Sequence, residues 1–454
     1  MRRSKWFYKG LTSIHEFVLH ASDLKRLAVL LFICLIVRIL FFSLLVPGYI
    51  NCNSDSVSYF LPIDIFHGVI DLYRTPVYIY LLKLFGYLSK DNLVNNFILF
   101  QHAVLFLSII PVYYLFKNTV KNKYLFLGAS LFYGCYFPAF YQAININPEC
   151  LCIAGSTLLL FLLTLYDKNP RKDTAFAIGF LPFLLIMLKP VYILLLAVSA
   201  VFFAARFLLV GKERKTLSCG ILGLTLAIMG TVAYCGMNKK YNGEFTISKI
   251  ALNNTLANIV ISGAYRSSVD EEFKSIIEET KKNSFYTAVF TLNNEWIDQY
   301  KESYKLTPSD LDKTPDAYSC LEVPNTVNFS KDRIDKFVNE SVRTKAYIRY
   351  MLKQFARFVM YYQLLSMIIL AELILLIMVF FKYRKLAWGL FFSILFVIGQ
   401  YFTISFGGID NWSRLLLPSF PFILYIFTQF FNYGIALVDK DKLALAMAAF
   451  SDKQ

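Results

Sequence analysis

The chain has 454 residues, 57% of them apolar and 17% aromatic, and only 17% are charged, against about 25% in an average soluble domain. A water-soluble fold could hide such a composition only in an implausibly large core, so a disordered chain, a disulfide scaffold and an ordinary soluble enzyme are excluded. Lysine and arginine number 46 against 31 acidic residues, a net charge of +15. In a soluble protein that excess would suggest nucleic acid; in a membrane protein it reports topology.

A bilayer core takes about 20 apolar residues of helix. Such windows recur at 27–46, 94–116, 123–143, 149–166, 190–210, 216–236, 359–381, 386–406 and 415–434. A shorter window at 174–188 makes ten if Lys189-Pro190 is a tight turn, since Pro190 cannot donate to a helix ladder. The first span follows 26 residues, lacks a small-residue cleavage site and reads as an uncleaved anchor. With the N-terminus inside, the segments 1–26, 117–123, 167–173, 206–215, 382–385 and the tail after 434 carry +14 of the +15. This asymmetry is what the positive-inside rule requires. No nucleic-acid partner is therefore expected.

The expected architecture is an all-α polytopic membrane protein of about ten transmembrane helices. Residues 1–236 form an N-terminal transmembrane module, and its first outer loop, 47–92, carries the candidate site. That loop ends in a stretch from Pro76 to Leu88, apolar but too short to span, which suits a helix lying in the interface. Residues 237–358 form a small mixed extracytoplasmic domain, with short strands expected in FTISKIALNNTLANIVISG and helices over 270–282 and 330–357. At its end Lys345, Arg349, Lys353 and Arg357 recur every four residues beside Ile348, Leu352, Phe355 and Val359, a basic amphipathic helix leading into a span. Interfacial anchoring explains it, and so does guidance of an anionic lipid head group. Residues 359–454 supply the C-terminal spans and a short cytoplasmic tail.

No Walker loop, strand-borne GxGxxG, HExxH or GxSxG is present. The 4 His are too few and too far apart for a zinc site, and the 8 Cys form no CxxC pair. Cys52 and Cys320 would share the oxidising side. Gln101 beside His102 reads as a polar contact between helices. Arg38 and Glu372 fall inside spans, where a charge needs a partner.

The outer face offers carboxylates and cations. Asp55 lies just past the first span and Arg74 at the start of the interfacial stretch. Glu149 follows Pro148 at a span start, where a carboxylate also suits a helix N-terminus. Lys189 sits at an outer turn, and Arg414 opens the last span, where snorkelling would also explain it. A carboxylate can take a proton from an acceptor hydroxyl or amine, and guanidinium groups hold phosphate by paired hydrogen bonds. Together they suit attack on a sugar activated by phosphate. Outside the cell the carrier would be a membrane lipid phosphate rather than a nucleotide.

Asp55-Ser56-Val57-Ser58-Tyr59, then Gly68, then Tyr73-Arg74-Thr75-Pro76-Val77-Tyr78 resembles the first outer loop of the GT-C superfamily of membrane glycosyltransferases. It looks most like the branch of the protein O-mannosyltransferases and lipid A aminoarabinose transferases. Asn147-Pro148-Glu149, Leu188-Lys189-Pro190, and Arg414 followed by Leu417-Pro418 and Pro421 are similar to further segments of that branch, as is Arg38. Val77, Ile79 and Leu415 depart from its usual Gly, Pro and Tyr. The resemblance implies inverting transfer from a polyprenyl-phosphate sugar to an extracytoplasmic acceptor, a lipid, glycan or protein. It makes Asp55 the base and Glu149 an aid to the acceptor or to a divalent metal, which some members bind. It gives Arg74, Lys189 and Arg414 the donor phosphate, and Tyr59 and Tyr78 the pocket. It places the active site on the extracytoplasmic face of a bacterial inner membrane, both termini being cytoplasmic. An envelope glycan polymerase or ligase using a lipid-linked donor, and a lipid-linked sugar transporter or flippase, are the rival expectations.

Overall fold

The computed structural model describes residues 12–13, 15–45, 54–61, 63–88, 92–282, 285–292, 294–307, 329–383, 386–407 and 412–438. Cys52 and Cys320, expected on the oxidising side, lie outside them. The described residues are helical, with an isolated antiparallel bridge between Asp64 and Val69. Eight helical stretches are long and apolar enough to cross a membrane: Asp23–Leu44, Leu93–Thr119, Glu149–Lys168, Pro190–Leu209, Gly211–Asn242, Gln363–Phe381, Trp388–Ser405 and Arg414–Ile435. The protein is an all-α polytopic membrane protein.

We number the helices α1 (Asp23–Leu45), α2 (Pro76–Leu88), α3 (Leu93–Leu107), α4 (Ile109–Thr119), α5 (Lys123–Gly134), α6 (Phe137–Ala143), α7 (Glu149–Lys168), α8 (Lys172–Leu188), α9 (Leu194–Leu209) and α10 (Arg214–Asn242). Then come α11 (Ile250–Ser262), α12 (Glu271–Thr280), α13 (Phe285–Leu292), α14 (Asn294–Leu306), α15 (Lys331–Val342), α16 (Lys345–Tyr361), α17 (Gln363–Tyr383), α18 (Trp388–Gly407) and α19 (Phe420–Val438).

Two of the ten expected spans take another form. The window 123–143 is split into α5 and α6. Pro138 cannot donate to the carbonyl a turn earlier, so it sits in the first turn of a new helix after extended Tyr136. The window 174–188 is α8, 17 residues with Pro182 inside, about 25 Å long and shorter than the bilayer core. It packs tightly on α10: a Cβ added at Gly179 would meet the Gly220 carbonyl at 2.1 Å, and one at Gly223 the Phe176 carbonyl at 2.4 Å. Small residues let the two backbones approach.

The expected short strands after residue 244 are absent among the described residues. Leu252, Leu256, Ile259 and Val260 recur at helical spacing, and α11 buries the last three of them. Left-handed Gly263 (φ 73°) closes it. The β-branched run Ile259–Ile261 is what suggested strand. The helix expected over 330–357 is two, α15 and α16, with Thr344 capping the second through Tyr347 N–H at 3.2 Å. The domain is therefore helical where described, not mixed.

Two apolar cores result. One fills the bundle. The other joins α2 and the Asp55 loop to α11–α15, so the domain folds over the loop rather than standing apart from it. Arg38 is buried, with its guanidinium 4.2 Å from the Phe140 ring and 3.4 Å from the His102 carbonyl. At the end of α9 far from Lys189, buried Arg206 pairs with Asp167 and with Glu213, the latter at 2.8 Å.

Candidate functional site

Asp55 lies in a single helical turn, Ser54–Val57, which tightens into a 3-10 turn over Ser58–Phe60. Gly68 reverses the loop with φ 80°, and its α-carbon lies against the Tyr241 ring, leaving no room for a side chain. Arg74 precedes Thr75 and Pro76, the residue that opens α2. Asp71 fixes this entry. Its Oδ1 accepts the backbone N–H of Tyr73 at 2.7 Å and of Arg74 at 3.2 Å. Glu149 is the first residue of α7, Lys189 the extended residue between α8 and a 3-10 turn, and Arg414 lies in the short helix Trp412–Leu416 before α19.

These five charged residues, drawn from four separate stretches of chain, form one continuous ion-paired chain. Arg74 Nη2 donates to Asp55 Oδ1 at 2.6 Å. Arg414 Nη2 donates to Asp55 Oδ2. Arg414 Nε donates to Glu149 Oε1 at 3.0 Å, and Lys189 Nζ meets the same oxygen at 3.0 Å. Glu149 is 1% exposed, whereas the Asp55 and Arg414 side chains are 28% and 26% exposed. An incoming ligand would therefore meet Asp55 and Arg414 before Glu149.

The aromatic pair expected nearby is there. The Tyr59 ring lies 4.9 Å from the Arg74 guanidinium carbon and edge-on to Tyr78 at 4.7 Å. Tyr78 OH donates to Gln101 Oε1 at 2.9 Å, and Gln101 Nε2 donates to the Asn145 carbonyl at 3.0 Å. Gln101 thus ties Tyr78 to the connection before Glu149, an interhelical contact of the kind expected of it. Burial raises the Tyr59 hydroxyl above the usual phenol range.

Burial alone would raise the Asp55 carboxyl, but the guanidiniums of Arg414 and Arg74 overcome it and hold it well below the usual carboxylate range. At Asp71 burial wins: it outweighs the two backbone N–H groups and the charge of Arg74 and pushes the carboxyl up to about 6, and its Oδ2 is buried without a hydrogen bond.

Of three supporting residues, sequence reading gave no site role to Ser58 or Asp71 and read Gln101 only as an interhelical contact. Ser58 accepts Arg74 Nε at 2.7 Å and donates to the Asp55 carbonyl at 2.6 Å, so it aligns Asp55 with Arg74. Asp71, three residues before Arg74, carries a readable signal, the Asp-x-x-Arg turn before a helix-opening proline. Gln101 carries a weaker one, a lone polar residue in an apolar span. Among the described residues no group of three or more His, Cys, Asp or Glu side chains is placed to hold a metal. A divalent cation at Asp55 and Glu149 would have to displace a guanidinium. An open cleft of about 580 Å³ lies elsewhere, beside Asp270, Glu272 and Arg333, and none of the five charged residues lines it.

Comparison with models of known protein families and with curated proteins finds no match.

Proposed function

We propose that the protein is an integral membrane glycosyltransferase that moves a sugar from a polyprenyl-phosphate donor to an extracytoplasmic acceptor with inversion. The observation that carries this reading is the convergence of Asp55, Arg74, Glu149, Lys189 and Arg414 into a single ion-paired chain. Three cations against two carboxylates leave it one positive charge in excess, a site that welcomes a phosphate anion. GT-C enzymes are the family it resembles, with the active site on the extracytoplasmic face and both termini in the cytoplasm of a bacterial inner membrane.

In this mechanism Arg74, Arg414 and Lys189 take the donor phosphate. The acceptor hydroxyl or amine attacks the anomeric carbon from the opposite face and gives its proton to Asp55. The bond between that carbon and the phosphate oxygen breaks, and its electron pair leaves on the oxygen, where the three cations stabilise it. Glu149 orients the acceptor and balances Lys189. Tyr59 and Tyr78 wall the sugar, and the helical domain covers the loop.

The test is incubation of the purified full-length protein with labelled polyprenyl-phosphate sugars and membrane extract. Wild type transfers label to an acceptor and Asp55→Asn does not; full activity in that variant refutes the base assignment. One sugar added, rather than a whole chain moved, separates this reading from a polymerase or ligase. One observation favours a transporter: Glu372, midway along α17, is fully buried with neither oxygen hydrogen-bonded, as expected of groups on an ion or substrate path. Translocation of lipid-linked sugar by vesicles of the protein, with no glycosidic bond formed, would decide for it.

A further inference from the structure

Helix α16 has three aspects, and the proposed reaction uses none of them. At about 100° per residue, a protein-facing line through buried Met351 and Phe358 comes first. Phe358 packs edge-on against Tyr401 at 4.9 Å and against Trp412 at 5.2 Å. Next comes an exposed apolar line, with Ile348 50% and Leu352 60% exposed. Then follow Lys345, Arg349, Lys353 and Arg357, all exposed. The 17 residues of α16 contain no acidic side chain. A single residue, Tyr362, separates it from α17, one of the membrane-crossing helices.

We infer that α16 is a docking surface for the head groups of anionic phospholipids. The start of α17 fixes α16 at the level where acyl chains meet head groups. There the Ile348–Leu352 line enters the acyl region, and the neighbouring basic fan comes level with the lipid phosphates. The cations have no acidic neighbour on their own helix to satisfy them, so the complementary charge comes from the leaflet.

The inference is independent of the glycosyltransferase reading, because the test reads lipid and not turnover. The full-length protein is reconstituted into nanodiscs of phosphatidylcholine with phosphatidylglycerol, extracted, and scored for retained lipid by native mass spectrometry. Wild type should enrich phosphatidylglycerol over phosphatidylcholine. Arg349→Gln/Lys353→Gln/Arg357→Gln should lose that enrichment, by about five-fold for each cation removed. Arg349→Lys/Arg357→Lys keeps the charges and should keep the enrichment, which guards against a loss caused by misfolding. Undiminished phosphatidylglycerol retention in the glutamine variant would overturn the inference. So would a wild type that does not discriminate between the two lipids, or one whose bound phosphatidylglycerol is displaced equally well by an acidic soluble peptide.

Discussion

At Asp71 charge and hydrogen bonding can be separated by substitution. Its Oδ1 holds the backbone N–H groups of Tyr73 and Arg74, while burial pushes the carboxyl up to about 6, against about 3.9 in an unfolded chain. A folded value above the unfolded one means that the native state favours the protonated acid. The stabilisation is complete below about pH 3.9 and is lost as pH rises through about 6. Two pH units at ~1.4 kcal/mol each amount to about 3 kcal/mol at neutral pH. Asp71→Asn keeps the Oδ1 acceptor and removes the charge, so at pH 7.5 it should be more stable than wild type by about 2–3 kcal/mol, and near pH 4 the gap should close. Asp71→Ala strands two buried donors and should cost about 2–4 kcal/mol at both pH values. Thermal unfolding of the detergent-solubilised protein, followed by intrinsic fluorescence across pH 4–8, measures all three. An asparagine variant less stable than wild type at pH 7.5, or a gap that does not change with pH, would refute the reasoning.

Substitutions at three further positions test the packing and the ion-paired chain. Arg414→Ala removes the link between Asp55 and Glu149 and leaves each carboxylate with one cation. It should lower stability by about 2 kcal/mol, less than a fully buried pair because the side chain is partly exposed, and Arg414→Lys should recover only part of this, since one nitrogen cannot span both carboxylates; scanning fluorimetry reads both. Gly223→Leu should abolish the monodisperse peak in size exclusion, because its Cβ would lie 2.4 Å from the Phe176 carbonyl, whereas Gly236→Leu on the same helix, with nothing within 4 Å, should be tolerated.

Much of the membrane part was legible because apolar length is a one-dimensional signal. Where it failed, a local group outweighed the window: Pro138 restarts a helix inside 123–143, and α8 stops at Lys189 before reaching spanning length. The helical domain was harder. The run Ile259-Val260-Ile261 has strand propensity, yet Leu256, Ile259 and Val260 are buried on one helical face, and burial overrides propensity. The five charged residues could be named from position and resemblance. Their pairing could not, because Asp55 and Arg414 stand 359 residues apart and no local rule brings them together. Ser58 is the same kind of case: a serine that matters only once Arg74 is beside it.

The pairing also bears on how such a site could work. With both oxygens engaged by guanidiniums, Asp55 is held below the usual carboxylate range and is a weak base, since efficient proton removal wants a value near the working pH. The same two guanidiniums are the groups assigned to the donor phosphate. In the proposed reaction, a phosphate that drew Arg74 and Arg414 toward itself would lift the depression they impose, so Asp55 would gain basicity as the leaving group arrived. Without donor, the carboxylate would stay masked and activate neither water nor acceptor. The excess of basic residues along the chain is what led to the expected orientation; in the proposed reaction the single uncompensated positive charge in this cluster would couple donor binding to the chemistry.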